Sequence, residues 1–426
     1  MAAAAPRLAA ASEARLEKFD NGFTVIVRES PAAPVVALSL MLRMGTRWET
    51  PEDAGASNFL QAVMMKGTLK RSGGELAEAV SALGGKLSAA GYRDYSEIRA
   101  SSLARFWREL LGLSAELALE PTLAQEEVER ERQSLLRRVQ GQTDSPFARA
   151  FIGFYALLYG PYPYGLPVLG TAASLRRIDH AAIVARHRAF YRPSRMVLAV
   201  SGQVRASEVV AEAKRLFGGL APEGGAPDPA LTVPVPLRAR PPDSLRRVIE
   251  QPAAQAQVLA GGLAPALDHP DHAAVKVLSS LLGGGMAGRL FVELRDKRAL
   301  AYTATAVYDP VRGPGVLVLY VGTAPGNAAR SEEQLQREII RVREERVSDA
   351  ELERAVAYVL GKYDMDRRTN ERQAWYLGFY EIEGVGLDYP ERYRRALAGV
   401  TAADVQRVAR IYLDPVATVA LRPAPP

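Results

Sequence analysis

The chain of 426 residues contains no cysteine. Disulfides, thiolate nucleophiles and thiolate-ligated metals are thereby excluded. Either bacterial compartment, cytoplasm or periplasm, suits such a chain, so localisation stays open. Histidine is scarce, at four residues. No long block of like charge occurs, and no aromatic–basic ladder that would stack bases. The net charge of +6 therefore does not describe a nucleic-acid surface, and no nucleic-acid partner is expected. Only eight of the 54 basic residues are Lys, and Arg spread this evenly fits a GC-rich genome. No uninterrupted apolar run approaches the length of a membrane span. The Ala-rich start lacks the Leu/Val-rich centre of a signal peptide, and residues 1–14 are expected to form a flexible leader.

Hydrophobic residues make up 48% and charged residues 24%, a globular balance in a chain too long for one ordinary core. The Pro-dense stretch Gly224–Ser244 has neither helical nor strand period and reads as a linker between residues 15–223 and 245–426. The halves end alike. At a constant offset of 222, Leu175 meets Leu397, Ile178 meets Val400, Asp179 meets Thr401, Ile183 meets Val405, Phe190 meets Tyr412 and Pro193 meets Pro415. Asp179 and Thr401 each precede a helical period as N-caps. Two equivalent α+β domains are expected, each an antiparallel-rich sheet flanked by helices. Gly22–Ser30 and Val35–Gly45 alternate like two strands of an antiparallel sheet, and Arg246–Gln251, Ala256–Pro265, Leu300–Asp309 and Gly315–Thr323 read as strands in the second half. Helical periods cover Asp53–Lys66, Gly74–Leu83, Ser101–Leu119 and Gln125–Gln140, then His269–Leu282, Gly288–Lys297, Ala328–Glu345 and a segment from Ala350.

The stretch "GASNFLQAVMMKGT", Gly55–Thr68, puts Asn58, Gln61 and Ala62 on one helix face. Its Gly55, Phe59, Leu60, Lys66, Gly67 and Thr68 match a zinc-peptidase helix, and the stretch resembles that of the pitrilysin/insulinase family. In that family the shared face carries H-x-x-E-H: two imidazoles hold zinc, and the Glu activates water. Here Asn58 and Ala62 stand in the histidine positions and Gln61 in that of the general base. Arg138 aligns with the later glutamate ligand, and a guanidinium repels a metal cation. Glu131 remains as an acidic residue seven positions earlier. The resemblance thus implies a degenerate zinc position with no metal in this chain. The histidines offer no replacement: His180 and His187 share the repeated helix, and His269 and His272 flank a helix start beside Asp268 and Asp271.

"LLGGGMAGRLFVELRDKRALAY", Leu281–Tyr302, resembles the second signature of the same family. The resemblance implies that Arg295 and Tyr302 face the substrate carbonyl and help to hold the tetrahedral intermediate, with Phe291 in the neighbouring aromatic position. Ala299 stands where the family has Gly. A guanidinium and a phenol suit an oxyanion. Gly283, Gly284 and Gly285 fit two roles equally, a helix C-cap and a close approach of substrate backbone. "YPYGLPVLGT" from Tyr162 extends the likeness, with Tyr162 in a His position. The expectation is a non-catalytic subunit, inactive alone. Its partner would be an H-x-x-E-H subunit that binds zinc and cleaves unfolded peptides. The alternative is an inert binding or scaffold protein of the same fold.

Overall fold

The computed structural model describes residues 14–222, 228, 239–240 and 242–424. The expected leader, Ala14 apart, and most of the expected linker lie outside those residues. The first sheet is built from β1 (Arg15–Lys18), β2 (Thr24–Glu29), β3 (Val35–Leu42), β4 (Lys86–Gly91), β5 (Ser96–Leu103) and β6 (Met196–Gly202). The second uses β7 (Arg246–Gln251), β8 (Ala256–Ala264), β9 (Thr303–Asp309), β10 (Gly315–Thr323) and β11 (Ala417–Pro423). Their orders are β1-β2-β6-β3-β5-β4 and β7-β11-β8-β10-β9. Without β1 the two sheets have one topology, and the 222-residue offset carries β2 onto β7. The expected N-caps are present: Asp179 accepts from the Ala182 N–H and Thr401 forms a capping box with Asp404.

Within the first sheet β6 lies between β2 and β3, parallel to β2 and antiparallel to β3. A connection of more than 150 residues separates β3 from β6 in the sequence, so adjacency in the chain was a poor guide to pairing. The helix expected over Ser101–Leu119 begins only at Trp107, because its first residues finish β5. There Ser102 keeps the strand period, whereas the apolar 3.6-residue period starts with Trp107, Leu110 and Leu111. The helix expected over Gly288–Lys297 is a π-helical turn, Phe291–Asp296.

Alternate residues of the central strands enter different cores, following the two-residue strand period. Val36, Leu38 and Leu40 of β3, with Leu198 and Val200 of β6, pack under the first half's own helices. Met41, Val197 and Ala199 face the other way and meet Leu377 and Ile382 of the second half. The arrangement is reciprocal. Helix Pro146–Tyr159 of the first half covers β8 and β11, whereas helix Asn370–Ile382 of the second half covers β3 and β6. Each carries a glycine where it touches the sheet. A Cβ on Gly153 would stand 2.9 Å from Ile249 Cδ1, and one on Gly378 would stand 3.2 Å from Met41 Sδ.

Candidate functional site

The first signature forms helix Ala56–Met64. Its entry is fixed by Gly55, whose φ of +87° suits glycine and whose Cβ would fall 2.6 Å from the Gly170 backbone. Glu49 accepts from the Gly55 and Ser57 N–H groups, both at 2.8 Å, so a carboxylate closes the positive end of the helix. Burial pushes the Glu49 carboxyl upward, opposed by Arg186, which reaches it at 3.4 Å and also donates to Ser57 Oγ and Asp53. Phe59 and Leu60 are wholly buried in the first core. Every retained frame residue here has a structural duty.

Asn58 and Gln61 are buried, Ala62 is half-buried and Arg138 is exposed. Gln61 Nε2 donates to the Tyr191 hydroxyl at 2.7 Å, and burial raises that phenol well above its usual range. Asn58 Nδ2 and Gln61 Oε1 are buried without a hydrogen-bond partner. Two amides, a methyl group and an exposed guanidinium do not fit zinc, which takes imidazole, thiolate or carboxylate ligands. Among the described residues no group of three or more His, Cys, Asp and Glu stands together. Glu131 is spent in an ion pair with Lys66 at 2.9 Å. The histidines serve the frame: His180 and His187 meet the Leu123 and Ala118 carbonyls, and His272 Nδ1 lies 3.0 Å from the Tyr308 hydroxyl.

In the second half, helix His272–Gly283 ends at Gly284, whose N–H donates to the Ser280 carbonyl at 2.6 Å. Gly285 follows with φ +71°, so the glycines cap the helix. Gly283 has a further duty: a Cβ there would stand 1.8 Å from the Ala306 nitrogen, so only glycine lets the helix lie against β9. Arg295 sits on the π-helical turn, its guanidinium carbon 4.9 Å from the Phe291 ring centre. Tyr302 lies one residue ahead of β9, its N–H bonded to the Gly322 carbonyl at 2.9 Å. Between them Ala299 adopts φ +51°, so the left-handed turn is made without glycine. Arg295 and Tyr302 are both exposed, and among the described residues neither side chain has a hydrogen bond or ion pair. Leu300 and Ala301 anchor the turn between them in the core.

β9 ends its sheet and, with helix Asp349–Asp366, walls a groove of about 640 Å³ floored by Lys276, Ser279, Ser280 and Gly283. Adding 218 to Asn58, Gln61 and Ala62 gives Lys276, Ser279 and Ser280; the same shift carries β4 onto β9. The groove is the internal counterpart of the degenerate zinc position. Nothing in composition or motif singled out Lys276; only the repeat, extended to this helix, would have found it.

Comparison with known proteins agrees with this layout. Residues 24–172 match the model of the insulinase family, peptidase family M16, and residues 177–359 match that of the peptidase M16 inactive domain. An uncharacterised zinc protease of Rickettsia bellii is 26% identical over 95% of this chain and 96% of its own length. One from Mycobacterium leprae is 29% identical over 78% of this chain and 74% of its own. The fold is shared with a peptidase M16 inactive-domain structure from Pseudomonas fluorescens (TM-score 0.88, 24% identity, 97% of this chain, all of that one). A protease from Helicobacter pylori superposes equally well (TM-score 0.88, 21% identity, 97% of this chain, all of that one). The two family models between them account for both halves: the chain belongs to the insulinase family of peptidases, M16.

Proposed function

We propose that this chain is the non-catalytic subunit of a two-chain zinc peptidase. It lends Arg295 and Tyr302 to an H-x-x-E-H partner that binds the metal and cleaves unfolded peptides. The observation that carries this reading is the contrast between two sites in one molecule. The zinc position is filled with buried amides and a methyl group, one amide already bonded to Tyr191. The Arg295 and Tyr302 side chains stand in solvent with no hydrogen bond or ion pair among the described residues, only the Phe291 ring lying beside Arg295, on a backbone turn that costs conformational strain. A side chain whose only duty was to the fold would be packed or paired. An oxyanion forming on a peptide carbonyl is what a guanidinium and a phenol hydroxyl would stabilise together.

The test is peptide hydrolysis by this chain, by a co-expressed H-x-x-E-H relative, and by the mixture. The expected result is activity in the mixture alone, with Arg295→Ala and Tyr302→Phe each lowering turnover about 10²–10³-fold, the loss typical of an oxyanion donor. Binding of the two chains should be unaffected by either substitution. Full activity of the relative by itself, or unaltered turnover in both variants, would leave an inert scaffold as the reading.

A further inference from the structure

Between the halves lies a second cavity, of about 390 Å³, the size of a small-molecule site. Its wall is aromatic, with Tyr92 from the first half and Trp375, Phe379, Tyr380, Tyr389 and Tyr393 from the second. Lys276, Tyr363, Tyr376 and Tyr393 line both this cavity and the groove along β9, so the two adjoin.

The charges around it are unevenly committed. Arg93 pairs with Asp309 at 2.8 Å and lies 4.2 Å from the Tyr155 ring centre. Asp309 also accepts from the Tyr155 hydroxyl at 3.2 Å. Asp94 is held by the Tyr164 hydroxyl and by the Arg312 N–H. His272 is buried, and its desolvation, aided by Lys276, holds the imidazole down to about 3, so it is neutral. Glu383 is buried with Oε2 unpaired, and burial raises its carboxyl well above the usual range. Lys276 is left as the cation without a hydrogen bond or ion pair among the described residues, and desolvation lowers its ammonium, opposed by the charge of Asp309, which lies beyond ion-pair distance and is already held by Arg93. An ammonium drawn from water with no partner costs folding free energy. A ligand that supplied the counter-charge would recover that cost.

We propose that this cavity binds a monocarboxylate with an aromatic or branched apolar body, the carboxylate on Lys276 Nζ and the body against Trp375, Phe379 and Tyr380. Two sources share this chemistry, a free organic acid and the C-terminal residue of a peptide lying in the adjoining groove. The site needs no catalytic partner and does not depend on Arg295 or Tyr302, so its failure leaves the reading of the active site untouched.

The test is titration calorimetry on the full chain alone. The probes are hydrocinnamate, its amide, and an alanine tripeptide extended by phenylalanine, with a free or an amidated C terminus. The acid should bind saturably and the amide at least about tenfold more weakly, the loss of one charge-assisted contact. Lys276→Met should abolish the preference for the acid and melt at the same or a higher temperature, because an unpaired, half-buried cation has been removed. Lys362→Met, which lines only the groove, should bind the acid like the native chain. Binding of the free-acid peptide would assign the site to a peptide C terminus, and binding of hydrocinnamate alone would assign it to a free acid. Equal binding of acid and amide, no saturation by any probe, or native affinity in Lys276→Met would overturn the proposal.

Discussion

At Ala299 the chain accepts a left-handed conformation that glycine would adopt freely, with φ at +51°. The Ala299 N–H still reaches the Arg295 carbonyl at 3.1 Å, so the turn is made in spite of the Cβ. Such a conformation costs an L-residue about 1–2 kcal/mol, partly offset by the stiffer unfolded chain. Ala299→Gly should therefore raise stability by about 0.5–1 kcal/mol, and Ala299→Val should lower it by about 1 kcal/mol, read from urea unfolding. A decrease in the glycine variant would mean that the turn relaxes in solution. The identity of this residue was legible as a departure from the family pattern. Its consequence was not, because backbone strain depends on the bonds that hold Leu300 and Ala301 inward. Glu131 teaches the same at close range: the residue type was plain, but its ion pair ties helix Gln125–Asp144 to Lys66, in the turn after helix Ala56–Met64 and 65 positions away in the sequence.

Among the elements, helix Asp349–Asp366 shows how the π-helical turn is held. Glu351 completes a capping box with Ser348 and accepts two bonds from Arg289, at 2.9 and 3.1 Å, just ahead of the turn that carries Arg295. The Arg289 guanidinium and the Ser348 backbone hold the Glu351 carboxyl down to about 2 from an ordinary 4.5. A depressed carboxyl contributes stability that is complete above its unfolded value and is lost as pH falls through the folded one. The second half should therefore weaken as pH drops from about 4.5 to about 2. Glu351→Gln should cost about 1–2 kcal/mol near neutrality and flatten that part of the acid limb. An acid limb identical to that of the native chain would refute the assignment. The helix itself was readable from its N-cap and period, whereas β5 was misread because only a single 3-10 turn, Ala104–Phe106, separates the strand from the helix that follows.

At the scale of the molecule, the halves are interlocked and not merely joined. Each sheet is apolar on both faces, and the outer face of each is covered by a helix from the other half. Arg93 to Asp309, and Asp94 to the Arg312 N–H, add polar bonds across the same boundary. Expressed separately, residues 14–222 and 242–424 should each expose a bare sheet face and aggregate, whereas co-expression should return a soluble pair that co-purifies. Two soluble, cooperatively melting halves would show that the exchanged helices are dispensable. Met286, Tyr302, Val307, Tyr358 and Met365, around β9 and the glycine loop, are exposed apolar side chains.

Local features were settled by the sequence itself: the repeat, the N-caps, the glycine-bounded helix Ala56–Met64, the loss of imidazole and carboxylate from the zinc face, and the retention of Arg295 and Tyr302. These depend on residue type at short spacing, where backbone geometry leaves few choices. The continuous apolar run of β3 could not say what covers its second face, because burial on both sides looks the same whichever helix supplies it. Tertiary structure decided that the cover comes from the other half. It also left Lys276 unpaired beside an aromatic cavity, since which charges meet there depends on contacts between residues as far apart as Tyr92 and Tyr393.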